Sequence, residues 1–458
     1  MATKRQKKKA YNTAKKVAKK NPGLVIAIVI ILLLIIGGGF AYLYFSGNLN
    51  KFLNKSDNNT TTTNTNNSVR AEDGIIENII YDKFQVHFLE LGNKSAGDSI
   101  YIKAGDTDIL IDAGSEQSSA KTIEAYVDKY CTDNKLEFVI GTHGDLDHIS
   151  GMFGNKEKGN YNGILYKYKV DTIIKQAYSV KSTSTYNNYL TAIEYAKSNG
   201  AKCYTAAECF NEQNGAKKSY TLADGITMDI LYNKYYFENT TSDENNYSVC
   251  TMFNYNDKHY LFTGDLELEG EEALAAYYDG STKEKTLPKV ELYKAGHHGS
   301  KTSSNECLLE KIEPKMCVSC CCAGTSEYTN NLEHQFPTQA FINRIAKYTS
   351  RVYVPSMIKL IDNTWTYTSM NGIVTVSSDG TNVGLNATNN LTRLKDTEWF
   401  NEKIYAVETK SYYIWNKAND KFLVHQNCAS SNTTNFYTKD TKDAILVPRR
   451  TWPENGIA

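Results

Sequence analysis

The heptapeptide THGDLDH (Thr142–His148) carries two imidazoles and two carboxylates within seven residues. Imidazole and carboxylate converging on one point suit a divalent cation, with zinc or manganese favoured by that donor mixture. Two ions about 3.5 to 4 Å apart would need more ligands than this stretch provides, including a bridging carboxylate. Candidates for the remainder stand at the ends of other apolar runs: Asp265 in LFTGDLE, and His297 and His298 in KAGHHGSKTSS. Asp112 closes ILIDAG, where it could accept a hydrogen bond from a ligating imidazole and fix its orientation. A cation in such a site brings the pKa of water down to about 7, so no side-chain nucleophile is required. Lys301, with Ser300 and Thr302 beside it, could hold an anionic substrate.

These residues need strands and turns to bring them together. EFVIG (Glu137–Gly141) predicts a strand ending at Thr142, which puts His143, Asp145, Asp147 and His148 on a tight loop. QVHFLEL, SIYIKA and DILIDA predict three strands before it, separated by Gly and Asp turns. GITMDILY, SVCTMFNY, HYLFTG and VELYKAG continue the strands, while Tyr189–Ser198 and LELEGEEALAAYY read as helices. GIVTVSS and TNVGL flank Asp379-Gly380, a hairpin signal. Mixed α and β elements without a repeat predict one large domain over residues 75–385. Residues 386–458, an Asn, Thr and Lys mixture with Trp399, Trp415 and Trp452, form a C-terminal extension of unassigned role, available for a partner or wall contact.

Other polar residues have simpler readings. His87 and His259 lie on apolar strands without a motif and read as core or edge histidines. Gly97–Ser99 (GDS) reads as turn chemistry before anything else. In KMCVSCCCAG the cysteines read as small apolar residues of a buried strand; one CxxC without a second pair is weak support for structural zinc.

The chain has 458 residues with 51 basic and 51 acidic side chains. Nine of the basic ones lie in Met1–Pro22, which has no acid, so the remainder is acidic by nine. Residues 1–23 therefore read as a basic cytoplasmic segment. Leu24–Phe45 is an uncharged run of 22 residues, enough for a transmembrane helix, which takes roughly 20. The basic cluster ahead of it keeps the N-terminus cytoplasmic and sends the rest outward. Residues 46–74, with SDNNTTTTNTNNS, read as a disordered polar linker. The expected arrangement is a single-pass membrane protein with its folded domain outside the cytoplasm.

HxDxDH followed by TGD and HHGSKTSS, together with VHFLELGNKSAGDSIYIK, ILIDAG, GDLELEGE, EHQFP and GIVTVSSDG, resembles the metallo-β-lactamase superfamily. Within it, the chain resembles specifically the soluble domain of ComEC-type DNA-uptake proteins. The resemblance implies a four-layer αββα sandwich with two divalent metals, zinc first and manganese or magnesium as alternatives. It assigns His143 and Asp145 to one metal, Asp147, His148 and His298 to the other, and Asp265 to the bridge. Asp145 replaces the His of the commoner HxHxDH pattern. The family's mid-domain His ligand has no counterpart, since His259 is the only histidine between His148 and Asp265. Asp147 and His334 are the implied catalytic groups, His334 as proton donor. Asp112, His297, Ser300, Lys301 and Asn246 are placed around the metals or the substrate.

The activity implied is phosphodiester hydrolysis, of DNA or a nucleotide, by a metal-bound hydroxide. One transmembrane helix cannot build that family's DNA channel. Two alternatives stand beside this expectation: a cell-envelope phosphodiesterase such as a phosphorylcholine esterase, and a non-catalytic anchored binding protein on the same fold.

Overall fold

The computed structural model describes residues 74–155, 163–281, 286–325, 334–361 and 364–407, four short strands between 411 and 440, and residues 445–457. The expected basic segment, the expected transmembrane helix and all of the expected linker but Gly74 lie outside the described residues. Among the described residues no helix is long and apolar enough to cross a membrane.

Alternating apolar residues set the first sheet. In β2 (Phe84–Phe88), β3 (Ile100–Ala104) and β4 (Thr107–Ile111), Phe84, Val86, Phe88, Ile100, Ile102, Ile109 and Ile111 all face one core. Tyr101 and Leu110 face a second core. Nine strands pair in the order β1-β19-β18-β2-β3-β4-β5-β6-β7, where β1 is Ile75–Glu77, β5 Lys135–Gly141, β6 Lys169–Lys175, β7 Lys202–Thr205, β18 Val374–Ser378 and β19 Val383–Ala387. The pairs β1-β19, β4-β5, β5-β6 and β6-β7 are parallel and the others antiparallel.

The second sheet has the order β15-β13-β12-β11-β10-β9-β8. Its strands are β8 (Ser219–Ala223), β9 (Ile226–Ile230), β10 (Thr251–Tyr255), β11 (Lys258–Phe262), β12 (Leu292–Lys294), β13 (Cys317–Val318) and β15 (Val352–Tyr353). Met228, Ile230, Phe253, Phe262 and Leu292 join the first core, so the two sheets pack face to face. Helices cover both outer faces. α1 (Ser119–Val127), α2 (Leu146–Phe153) and α3 (Ser184–Ser198) close one side through Ile123, Ile149, Met152 and Ile193. α4 (Leu268–Tyr277), α5 (Glu306–Ile312) and α6 (Gln339–Ile345) close the other through Leu274, Leu308, Leu309 and Phe341. This is an αββα sandwich with three hydrophobic layers between four layers of structure.

One expectation needs correction. The boundary near Leu385 cuts through packed structure: Trp399 and Phe400 are buried in the core beneath α4 to α6. Arg450, also buried, donates to the backbone carbonyls of Pro337 (2.9 Å) and Gln335 (2.7 Å). The extension is thus part of the domain at both of its ends. The hairpin expected at Asp379-Gly380 is present: β18 and β19 pair antiparallel from Ser378 and Val383 outward, and the Asp379 side chain accepts from the Thr381 and Asn382 backbone N–H groups in the turn. Cys317, Cys320 and Cys321 are buried in the apolar layers, as expected of small apolar residues, and Cys322 beside them is buried too.

Candidate metal centre

The strand β5 ends at Gly141, and the motif follows at once. Half of it is helical: Asp145 is the residue before α2, and Asp147 and His148 fall in its first turn, where exposed backbone N–H groups favour a carboxylate. The tight loop expected for all four residues therefore holds only His143 and Asp145. Gly151 lets α2 approach the sheet, since a Cβ there would lie 2.4 Å from the Ala113 carbonyl. Asp265 follows β11, and His297 and His298 follow β12. Both histidines have left-handed backbone angles, φ 46° and 53°, a conformation that non-glycine residues rarely adopt and that concentrates at functional sites.

Four side-chain atoms meet beside a cavity of about 980 Å³. His148 Nε2 lies 3.1 Å from Asp265 Oδ2 and 3.2 Å from His298 Nε2. His298 Nε2 lies 3.2 Å from both Asp265 Oδ2 and Asp147 Oδ2, and His148 Nε2 is 4.0 Å from Asp147 Oδ2. Ligands about 2.0 to 2.1 Å from a tetrahedral ion stand roughly 3.3 Å from one another, so these residues fit one divalent cation.

The ring orientations are fixed from behind. Asp112, fully buried, accepts from Thr142 N (2.8 Å) and Thr142 Oγ1 (2.7 Å) and sits 2.8 Å from His148 Nδ1. His298 Nδ1 sits 2.9 Å from the Cys320 carbonyl. Carboxylate and carbonyl can only accept, so both rings keep a proton on Nδ1 and turn Nε2 toward Asp147 and Asp265, as the atom that would ligate a cation on losing its proton. His297 lines the cavity as well: its Nδ1 is 3.3 Å from Glu267 Oε1 and its Nε2 is 3.9 Å from Asp265 Oδ2.

Burial opposes charge on His148 and His298. The carboxylates around them, with Asp265 foremost, outweigh that and hold both pKa values well above the usual imidazole range. Asp265 is held well below the carboxylate range against its own burial, by His148, His298 and Lys294. Such an excess of buried negative charge is what a divalent cation would neutralise.

Behind the cluster, Lys294 is almost completely buried, at 1% side-chain exposure, with Nζ 2.5 Å from Asp98 Oδ2, 3.1 Å from Asp265 Oδ1 and 2.9 Å from the Gly264 carbonyl. Asp98 belongs to the same group of buried acids and imidazoles. It faces their Nδ1 edges, 3.1 Å from His298 and 3.8 Å from His148, and so braces the rings from the side opposite the cavity. The GDS segment is thus more than a turn. Neither Asp98 nor Lys294 was evident as a site residue in the sequence; a lysine inside the apolar run VELYKAG was the available signal, since a buried lysine requires an acidic partner.

Around His143 the set is thinner. Its Nδ1 is 3.1 Å from Thr142 Oγ1, whose own proton goes to Asp112. Its Nε2 is buried without a hydrogen-bond partner, 3.6 Å from Asp145 Oδ2. The other oxygen of Asp145 is ion-paired with Lys181. Where the mid-domain histidine would be expected, Ser248 Oγ lies 3.5 Å from His143 Nδ1 and accepts from Asp265 N. Among the described residues Asp145 is the acid paired with His143, while Asp147, Asp265 and His297 act on it from further off.

Asn246 is buried and its Oδ1 accepts from Glu267 N; the cavity wall is formed instead by Asn245. Ser300, Lys301 and His334 line the cavity, with Lys301 Nζ 3.2 Å from His334 Nε2. Glu244, another residue the sequence did not single out, is buried and accepts from Gly144 N, Ser179 Oγ and Val180 N, each at 2.8 Å. It ties the loop of His143 to the segment carrying Lys181. His87 sits in an aromatic cluster with Tyr101, Tyr126 and Tyr130, where burial lowers its pKa to about 3. His259 bonds its cross-strand neighbour Asn254 at 2.7 Å.

Residues 92–187 match the metallo-beta-lactamase superfamily. Among curated proteins, the chain is 32% identical over 122 residues to competence protein ComA of Neisseria gonorrhoeae, covering 27% of this chain and 15% of that protein. It is 30% identical over 112 residues to recombination protein 2 of Haemophilus influenzae, covering 24% of this chain and 12% of that one. The matched region is thus under a sixth of the length of either relative. Solved structures returned include a putative metal-dependent hydrolase from Parabacteroides distasonis (11% identity, TM-score 0.26, 51% of this chain and 80% of that one). Another is CmlA, a diiron β-hydroxylase from Streptomyces venezuelae (8% identity, TM-score 0.28, 52% and 44%). At those scores the two structures add nothing to the assignment, which rests on the sandwich, the His and Asp cluster and the sequence matches: this chain carries a metallo-β-lactamase domain similar to that of ComEC-type competence proteins.

Proposed function

We propose that this protein is a metal-dependent hydrolase of phosphodiesters, anchored in the membrane by Leu24–Phe45 with its domain outside the cytoplasm. The observation that carries the reading is the convergence of His148 Nε2, His298 Nε2, Asp147 Oδ2 and Asp265 Oδ2 beside a cavity whose lining includes both carboxylates. A divalent ion held by such a donor set acidifies water and neutralises charge on a phosphoryl oxygen. Two carboxylates among the four donors make manganese as suitable as zinc.

The chain's own residues supply the rest. Asp112, Asp98 and the Cys320 carbonyl hold the rings, and Lys294 fixes Asp265. Lys181 and Lys301 line the cavity with positive charge for an anionic substrate. His334, beside Lys301, is placed to carry a proton to a leaving oxygen at the cavity wall. DNA or a nucleotide is the substrate class suggested by the competence relatives. The acidic balance of everything after residue 22 supports a second reading, a phosphodiester of the cell envelope, because long DNA is usually bound by a basic footprint.

The test is hydrolysis of bis-p-nitrophenyl phosphate by the full chain, purified in detergent, chelated and then resupplied with zinc or manganese. Metal-stimulated turnover that is lost in Asp147→Ala and His148→Ala is expected. Absence of both bound metal and turnover would leave only a binding role. Turnover of single-stranded DNA against a phosphorylcholine ester then separates the two substrate readings.

A further inference from the structure

Metal centres of two ions require two ligand sets, and the described residues close one around His148, His298, Asp147 and Asp265. Beside it, the Asp145 carboxylate is engaged by the Lys181 ammonium. The pair is built in. Lys181 follows Val180, whose N–H bonds Glu244, and the Lys181 N–H itself bonds Ser179 Oγ (3.0 Å), another Glu244 partner. The same Glu244 carboxylate accepts from Gly144, the residue between His143 and Asp145. One buried acid thus sets the backbone on both sides of the ion pair. Lys181 also lines the cavity that holds Asp147 and Asp265.

We propose that Lys181 supplies the positive charge that a second metal would bring. The centre takes one divalent cation, on Asp147, His148, Asp265 and His298, and the Lys181 ammonium faces a phosphoryl oxygen of the substrate from the Asp145 side. An ion lodged between His143 and Asp145 would sit against that ammonium with too few donors to offset the repulsion. His143, with its buried Nε2 lone pair bare, is left to accept a hydrogen bond from water or substrate. The inference rests on the hydrolase reading for its substrate and on geometry alone for its metal count.

The two can fail separately. Bound zinc and manganese are counted by elemental analysis and by titration calorimetry on the full-length protein, its Lys181→Met variant and its Asp145→Asn variant. One ion per chain in all three is expected, because Asp145 is not a ligand in this arrangement. Two ions in the wild type, falling to one in Asp145→Asn, would overturn the proposal while leaving the hydrolase intact. No bound ion in the wild type defeats the hydrolase reading and this one with it. With bis-p-nitrophenyl phosphate, Lys181→Met is expected to lower kcat/KM about 100-fold, the scale of removing one charge-stabilising donor, with partial recovery in Lys181→Arg at unchanged metal count. An unchanged kcat/KM in Lys181→Met would refute the charge role.

Discussion

Lys294 offers the sharpest test of how the centre is held. Its ammonium is enclosed by Asp98, Asp265 and the Gly264 carbonyl, and replacing it with Met leaves two buried carboxylates without their cation. Breaking a buried pair from one side costs about 3 to 5 kcal/mol. At about 2 °C per kcal/mol, the low end for domains of some 200 residues, the variant should melt roughly 6 to 10 °C lower. The companion change Asp98→Asn removes one of the stranded acids. In the double variant Asp265 keeps His148 and His298 as partners, so the combined loss should fall short of the sum by about 2 kcal/mol. The assay is a double-mutant cycle by urea unfolding on chelator-treated protein, which takes bound metal out of the comparison. Losses that add within about 0.5 kcal/mol, the behaviour of independent sites, would refute the claim that Lys294 and Asp98 act as one unit.

Further outcomes follow from the same geometry. Gly151→Ala should cost about 1 to 3 kcal/mol by overpacking against Ala113 and should weaken cation binding by calorimetry, because α2 bears Asp147 and His148. Glu244→Gln puts an amide against N–H donors, so a loss of about 1 to 3 kcal/mol and faster proteolysis near residues 177–183 are expected in a melt and a digestion time course. Glu271 accepts from Ser304 N, Asn305 N and Asn305 Nδ2, yet burial raises its pKa to about 7. A carboxyl raised above its unfolded value stabilises the fold fully below about pH 4.5, and that contribution is lost as pH rises through 7. Chemical unfolding across this window should therefore show a stability difference between wild type and Glu271→Gln that drifts by up to about 3 kcal/mol, and a constant difference would reject the assignment.

Much of this was readable in the chain before folding. Periodic apolar residues mark β2 to β4 because a strand between two packed layers must alternate its faces, and THGDLDH announces itself by composition. The left-handed turn at His297 and His298 decides which ring faces inward, and nothing local in KAGHHGSK encodes that choice. Asp98 and Lys294 are separated by almost two hundred positions, so their pairing exists only once the two sheets close. Lys181 is equally silent, an ordinary lysine in a polar segment until Glu244 draws it to Asp145. The role of the extension after Leu385 is hidden for the opposite reason: its Asn, Thr and Lys mixture carries no pattern, while a few buried residues, Trp399, Phe400 and Arg450, tie it into the domain.

Arg449 and Arg450 have a practical consequence. Arg449 reaches Gln335 Oε1 at 3.0 Å, and Arg450 clasps the carbonyls on either side of Phe336, so the far end of the chain works as a hasp on the wall that carries His334. Trimming residues 449–458 would leave every histidine and aspartate of the cation cluster in place while letting that wall swing free. A shortened protein of this kind should still load metal yet turn over poorly, an inactivity easily mistaken for a wrong substrate.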